Sequence, residues 1–231
     1  AFALQWLTNV EKALEGRCPA ALVCQHLEPD HSGSLRALLD RYPGMSLIVS
    51  SRAASMLPNF LDAEAYAGRL ITVGEGDTYD LAGGSGLTFM MTPMVHWPEV
   101  MLEYETTEKV LFSADAFGKF GALSASEDWT CEARRYYFNI VGKYGAPVQT
   151  LLKKAAALDI RTICPLHGPV LKENLEFYIG KYLTWSSYEP EDDGVLVACA
   201  SIHGNTKTAA EKMVNILKEQ GYNKVAFTDL T

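Results

Sequence analysis

A short apolar run, AALVCQ at Ala20–Gln25, passes without a break into HLEPDHSGS, and this junction constrains the chain more than any other feature. The run suits a buried strand, so His26, Glu28, Asp30 and His31 fall in a loop at the strand's C-terminal end. The chain has only five histidines, and two of them share this six-residue window with two carboxylates. In an extended loop, residues two apart project to the same side. His26 and Glu28 then stand together, while Asp30 and His31, past Pro29, turn toward a second position. This is a metal-ligand pattern; the alternative, a solvated loop with an exposed histidine pair, loses ground once the other histidines are placed.

His96 in TPMVHWPEV and His167 in CPLHGPV each follow an apolar strand and sit beside Pro or Gly, where α/β and sandwich folds put ligands. Asp115 in LFSADAFG sits the same way. Taken alone, each is weak, since a single histidine at a strand end is commonly structural. Together with the window they make seven donors, four imidazoles and three carboxylates, the count for two metals sharing one bridging carboxylate. Trp97 either walls the pocket or only packs. The Met90, Met91 and Met94 cluster is read as core, and Cys24 and Cys164, on predicted strands, as buried thiols.

Around these positions the chain reads in two parts. Phe2, Trp6, Val10 and Leu14 recur at helical spacing in AFALQWLTNVEKALEG, which has neither an initiating Met nor a basic leader, so the chain is expected to open inside a helix. Ser34–Tyr42 is a helix with Leu35, Leu38 and Leu39 on one face, and Leu47–Ser50 the next strand. From Arg69 to Phe112, short apolar runs (LITV, GLTFMM, EVMLEY, KVLFS) predict a mostly antiparallel sheet. Helices follow over Glu132–Lys143, Val148–Leu158 and Leu171–Trp185, with RTICP as a strand. The polar segment Ser186–Gly194 predicts a domain boundary. After it come a strand (VLVACA), a helix over Thr206–Gln220 with Ala209, Met213, Ile216 and Leu217 inward, and a strand (KVAFTDL), the βαβ start of an open parallel sheet.

Composition excludes several classes. Of the 231 residues, 48% are hydrophobic and 21% charged, which rules out a disordered chain or a coiled coil. The net charge is 20 − 28 = −8, with no Lys/Arg stripe to meet a phosphate backbone, so nucleic acid is not an expected partner. No apolar stretch reaches the roughly 20 residues that cross a bilayer, and no membrane association is expected. The five cysteines are odd in number and scattered, with no CxxC pair, which suits reduced thiols in a cytoplasm.

The pattern HLEPDHSG, then His96, Asp115 and His167, resembles the metal-binding signature of the metallo-β-lactamase superfamily. The flanking words HWPE, SADAFG and LHGP are similar to those of the flavodiiron proteins. That resemblance implies an α+β chain: a metallo-β-lactamase-like αββα sandwich over residues 1–187, N-terminally incomplete for lack of upstream strands, a linker over 188–194, and over 195–231 the first βαβ of a truncated flavodoxin-like domain. It implies iron held by His26, Glu28 and His96, a second iron held by Asp30, His31 and His167, and Asp115 bridging them. Hydrolytic members usually carry His where this chain has Glu28, and a carboxylate there hardens the site toward iron.

The segment CASIHGNTKTAA follows a strand and opens a helix, so its amides and hydroxyls can gather around an anion. It is neither a P-loop nor a GxGxxG turn. It resembles the flavodoxin phosphate loop, which implies FMN phosphate binding by Ser201, Ile202, His203, Gly204, Asn205 and Thr206, with Thr208 as a further hydroxyl. The implied activity is reduction of O2 to water, of NO to nitrous oxide, or both, with electrons passing through FMN. Rubredoxin or a flavin reductase would be the donor, and a head-to-tail homodimer would bring flavin to iron. Two alternatives remain: a zinc-dependent hydrolase of the same superfamily, and an inactive fragment.

Overall fold

Strand β1 (Ala21–Cys24) pairs in parallel with β2 (Ser46–Ser50), and β2 in parallel with β3 (Leu70–Val73). The structure, a computed structural model, describes residues 2–124 and 128–231, and the chain divides into two compact units, Ala1–Tyr188 and Glu189–Thr231. The parallel placement of β3 corrects the expectation that LITV opens the antiparallel run. Between β2 and β3 lie helix α4 (Ser51–Met56) and two short 3-10 turns. A crossover of that length returns the chain to the starting end of the sheet, so β3 runs parallel.

The second sheet is antiparallel over β4 (Thr78–Asp80), β5 (Gly86–Met91), β6 (Met101–Glu105) and β7 (Val110–Phe112). Strand β8 (Thr162–Cys164) then pairs in parallel with β7, after an excursion through α5 (Trp129–Tyr136) and α6 (Gly145–Ala155). Asp128 caps α5 by accepting from the Thr130 amide, and the helix widens into a π turn at Tyr137–Val141. Helix α7 (Leu175–Ser186) starts later than the expected Leu171, because Leu171 exchanges two 2.9 Å backbone hydrogen bonds with Ile163 instead.

Side-chain alternation along β2 sorts the core into layers. Leu47 and Val49 face Leu35, Leu38 and Leu39 of α3 (Leu35–Arg41), with Leu7 and Val10 of α1 (Ala3–Leu14) at the margin. Ile48 faces the other way, onto Phe89 and Met101 of the second sheet. On the far side of that sheet, Leu102, Tyr104, Leu111 and Ile163 pack under α5, α6 and α7. The result is an αββα sandwich with three strands facing five. Fully burying each of these side chains contributes roughly 1.5–3 kcal/mol. Because β7 and β8 extend beyond the shorter sheet, Phe112 is 38% exposed and Cys164 only half-buried, which corrects the reading of Cys164 as a buried thiol. Cys24 is buried as expected, and burial pushes its thiol up to about 12. Of the methionines, Met90 is core and Met91 flanks it, whereas Met94 is half-buried in a loop at φ +68° and outside every core cluster.

Arg69 fastens the shorter sheet to its helices. Its Nη1 donates to the carbonyls of Leu39 (3.0 Å), Tyr42 (3.2 Å) and Pro43 (3.2 Å), and its Nη2 to that of Ala65. Carbonyls at a helix C-terminus lack partners within the helix, and a cation there also meets the negative end of the helix dipole.

In the second unit, β9 (Val195–Cys199) and β10 (Val225–Asp229) pair in parallel, connected by α8 (Asn205–Glu219). The buried line of α8 is Ala210, Val214 and Leu217, while Met213 and Ile216 are 50% and 41% exposed and Ala209 is exposed. This corrects the expected inward face except at Leu217: a sheet of two strands is covered by one narrow helical stripe at i, i+4, i+7.

Arg69→Ala is expected to destabilise the first unit by about 2–3 kcal/mol, because carbonyls lose a charged donor at a half-buried site. A lower urea midpoint at unchanged slope would report it, with Arg69→Lys recovering only part.

Candidate metal centre

Four loops at one rim of the sandwich supply the candidate donors. His26 leaves the end of β1 in extended backbone, but the window does not stay extended. Pro29, at the first helical position, starts a single turn, α2 (Pro29–Ser32), in which the His31 and Ser32 amides donate to the Glu28 carbonyl at 2.9 Å. The window read as an extended loop is therefore half strand extension and half helix, and the helical half swings Asp30 and His31 to their own position. Gly33 ends the turn where a Cβ would lie 2.6 Å from the Pro29 carbonyl oxygen. Asp115 follows β7 and His167 follows β8, and the Leu166 amide ties their loops by donating to the Ala114 carbonyl at 2.8 Å. Gly118 lets them approach, since a Cβ there would meet the carbonyl oxygens of Asp115 and His167, each at 3.0 Å. His96 comes from the β5–β6 loop.

All seven predicted donors come together in two sets that share Asp115. Glu28 Oε2 lies 3.2 Å from His26 Nε2 and 3.1 Å from His96 Nε2, and Asp115 Oδ2 lies 3.7 Å and 3.3 Å from the same two nitrogens. On the other side, Asp30 Oδ2 lies 3.6 Å from His31 Nε2 and 3.3 Å from His167 Nε2, with Asp115 Oδ1 at 3.0 Å and 3.6 Å. His31 is also close enough to His26, Glu28 and Asp115 to share an ion with them. Its shortest carboxylate contacts nevertheless belong to the second set. His26 and Asp115 are buried, whereas the Glu28 and Asp30 side chains are 35% and 52% exposed and form the open side.

The arrangement fits cations. His31 Nε2 and Asp115 Oδ1 are buried and 3.0 Å apart, yet neither has a hydrogen-bond partner in good geometry among the described residues. Two donors so close and out of line suit an ion held between them. Glu28, Asp30, Asp115 and the buried Glu99 bring four carboxylates together beside the imidazoles. Two divalent cations would balance them, where uncompensated burial is costly. Without a cation, protons take that place. Burial opposes charge on Asp115, but His31 and His96 hold its carboxyl far below the usual range. Burial likewise opposes charge on both imidazoles, and Asp115 outweighs it, raising them above their ordinary value.

Two residues of the site were not anticipated as part of it. Glu99 is buried, with Oε1 accepting from His26 Nδ1 at 2.8 Å and from the Leu27 amide at 3.0 Å. Those bonds outweigh its burial and keep it ionised at lower pH than usual. With Nδ1–H committed to Glu99, His26 presents its Nε2 lone pair to the site. A signal existed in the sequence: a carboxylate three residues after His96, at the head of the apolar run VML. The other is Tyr136, whose buried hydroxyl is pushed far up by burial and by nearby Asp115. It lies on an amphipathic helix with nothing local to mark it. Trp97 walls the site, its ring edge-on to His26 at 5.0 Å, and Phe120 stands 5.2 Å from His167.

The predicted phosphate loop lies in the second unit. Gly204, at φ +81°, precedes α8, and no side chain caps the helix. Its first amides are therefore open, and Ile202, His203, Gly204, Asn205 and Thr206 are exposed, with Ser201 half-buried. Thr208 turns away: its hydroxyl donates to the Gly204 carbonyl at 3.1 Å.

An αββα sandwich with two histidine–carboxylate sets on its rim has a metallo-β-lactamase-like fold. Residues 4–168 match the family model described as ODP family beta lactamase, and the chain belongs to that family. Its resemblance to flavodiiron proteins extends along most of its length. An uncharacterized protein of Methanocaldococcus jannaschii is 32% identical over 92% of this chain and 54% of its own length. The anaerobic nitric oxide reductase flavorubredoxin of Vibrio vulnificus is 29% identical over 91% of this chain and 44% of its own length. Among solved structures, rubredoxin oxygen:oxidoreductase from Desulfovibrio gigas superposes with a TM-score of 0.79 at 28% identity, covering 90% of this chain and 54% of that one. A flavoprotein from Thermotoga maritima gives 0.87 at 24% identity over 99% and 57%, a likeness of fold. The chain spans about half the length of the curated relatives it matches.

Glu99→Gln should weaken metal binding about 10–100-fold, because it removes the charged partner that orients His26. Competition against a chelator of known affinity measures the change, and circular dichroism of the metal-free variant checks that the fold survives.

Proposed function

We propose that this chain is the metal-binding part, with the beginning of the flavin-binding part, of a flavodiiron oxidoreductase that reduces O2 to water, NO to nitrous oxide, or both. The observation that carries the reading is Asp115, whose two oxygens each face a different pair of imidazoles. The two sets are read as the ligands of two ions: His26, Glu28 and His96 for one, Asp30, His31 and His167 for the other, with Asp115 bridging. Three carboxylates among seven donors favour iron over zinc, whose sites are richer in nitrogen and sulfur. The names of the flavorubredoxin and oxygen-oxidoreductase relatives support the redox reading.

Iron held by these residues would supply the reducing electrons for a small diatomic molecule, and FMN held by the loop before α8 would be the source of those electrons. The chain's own residues prepare the place. Glu99 fixes the His26 ring, Trp97 and Phe120 close the apolar sides, and the exposed Glu28–Asp30 edge leaves the approach for substrate. Tyr136 keeps a proton on its hydroxyl beside Asp115. In the second unit, the open amides at the start of α8 and the hydroxyls of Ser201 and Thr206 suit the FMN phosphate, with Ile202, His203, Gly204 and Asn205 completing the loop. Rubredoxin or a flavin reductase is the proposed donor, and a head-to-tail homodimer the proposed assembly. No helix among the described residues is long and apolar enough to cross a membrane. The five unpaired cysteines support a reducing cytoplasm as its setting.

Metal analysis of the purified protein should find iron at both positions, and anomalous scattering at the iron edge should place it between the two sets. Asp115→Asn should lower the content of both ions, while Glu28→Gln should lower chiefly that of the His26–His96 position. The full-length protein, reduced, should consume O2 or NO. Zinc at both positions together with ester or thioester hydrolysis would overturn the proposal in favour of the hydrolase.

A further inference from the structure

The two positions for a cation differ in how far the protein encloses them. At the first, the His26 and His96 side chains are 0% and 8% exposed; at the second, His31 and His167 are 11% and 23% exposed, and Asp30 stands further out than Glu28. The Trp97 ring lies edge-on to both imidazoles of the first position, 5.0 Å from His26 and 6.3 Å from His96, and Phe60 backs it at 6.2 Å. At the second position the ring against His167 is Phe120, itself exposed.

The backbone follows the same division. The His26 carbonyl accepts from Cys24 Sγ at 3.3 Å, and Glu99 holds the ring. The His96 loop is closed across its base, the Thr92 amide donating to the Val100 carbonyl at 3.0 Å and the Met94 amide to that of Trp97 at 2.8 Å. Asp30 and His31 ride instead on the four residues of α2, a turn too short to draw much stability from its own hydrogen bonds and fastened by Ser32 Oγ donating to the Leu27 carbonyl at 2.8 Å.

Charge and ligand supply point the same way. Glu99 places a further carboxylate behind the first position, whereas among the described residues His31 and His167 form no ion pair beyond Asp30 and Asp115. His31 is near enough to His26, Glu28 and Asp115 for one ion to use all four, and near enough to Asp30 and His167 for another. A lone ion in the first position can therefore draw on His31, and a second ion must take that imidazole back.

We propose that the two positions form a hierarchy: the His26–Glu28–His96 position fills first and keeps its ion, while the Asp30–His31–His167 position exchanges its ion with solution, so that the supply of divalent cation sets how much of the protein carries a complete centre. This rests on the two-ion reading above. The competition for His31 makes the second ion loosen the first, and by linkage the first weakens the second by the same factor. The held ion stabilises the folded chain, and the exchangeable one completes the centre.

The test uses the full 231-residue chain, stripped of metal and titrated with Co2+, whose visible absorption reports binding at each position. Two ions should bind per chain in steps whose affinities differ about tenfold or more, and a chelator added to the loaded chain should remove one ion about tenfold or more faster than the other. Asp30→Asn, at an exposed position, and His167→Gln should each abolish the fast phase and leave the slow one. Glu99→Gln should speed the slow phase about 10–100-fold and leave the fast one. Circular dichroism of each variant checks that it folds. The hierarchy is overturned if the two rates lie closer than about tenfold, or if Asp30→Asn and His167→Gln remove the slow phase instead. A chain that binds fewer than two Co2+ ions at saturation overturns the two-ion reading itself, whereas two ions released together overturn the hierarchy alone.

Discussion

The structure is organised by one buried carboxylate that must face two ways. Asp115 has both oxygens within 3.7 Å of imidazole nitrogens drawn from three other segments of the chain. Such convergence needs the strands feeding those loops to finish at one rim. The second sheet meets this demand by direction: β5 and β7 flank β6 antiparallel and so run the same way, and β8 joins β7 in parallel. His96, Asp115 and His167 thus follow three like-directed strands. The long helical excursion before β8 is what parallel pairing requires. The close approach of the last two loops then depends on Gly118 and on the Leu166–Ala114 backbone bond.

The same concentration of charge ties the centre to proton concentration. In the metal-free chain the depressed carboxyl of Asp115 adds stability above its unfolded value, near 3.8, and loses it as pH falls through the lower folded value. The raised imidazoles of His31 and His96 add stability below 6.5 and lose it as pH rises through their higher folded values. Both contributions are complete between those two reference values, where protons on His31 and His96 offset the charge of Asp115. A metal ion must displace those protons, so acid favours the empty site.

Much of this was legible in the sequence because the donors are sparse and chemically distinctive. Five histidines in the chain, two of them in one window with two carboxylates, leave little room for another reading, and His26, His96, Asp115 and His167 fall where the apolar runs predict loops. The misreadings have a common physical origin: they concern pairing, which sequence periodicity does not encode. LITV looks the same whether it pairs in parallel with β2 or antiparallel with its successor, and only the crossover before it decides. Leu171 fits a helical face yet is claimed by a bridge to Ile163. On α8, Met213 and Ile216 are as apolar as Val214 and Leu217, and the narrowness of a two-stranded sheet selects between them. Glu99 escaped notice because its partners, His26 and Leu27, are more than seventy residues away.

Glu99 also shows why the centre and the sandwich should not be treated as separable. Its side chain fixes His26 and the Leu27 amide at the end of β1, in the shorter sheet. Its own carbonyl accepts from Ser50 Oγ at 2.8 Å, and Ser50 ends β2 while capping α4 through the Ala53 amide. Two residues later the chain enters β6 in the second sheet. One residue therefore joins a ligand, a helix cap and a strand from each sheet. Its carboxylate can satisfy the buried Leu27 amide only in the position that also orients His26, so the energy that holds the two sheets in register is shared with the energy that holds the imidazole. Binding an ion at Nε2 draws on an alignment the fold has already made, and strengthens the joint that made it.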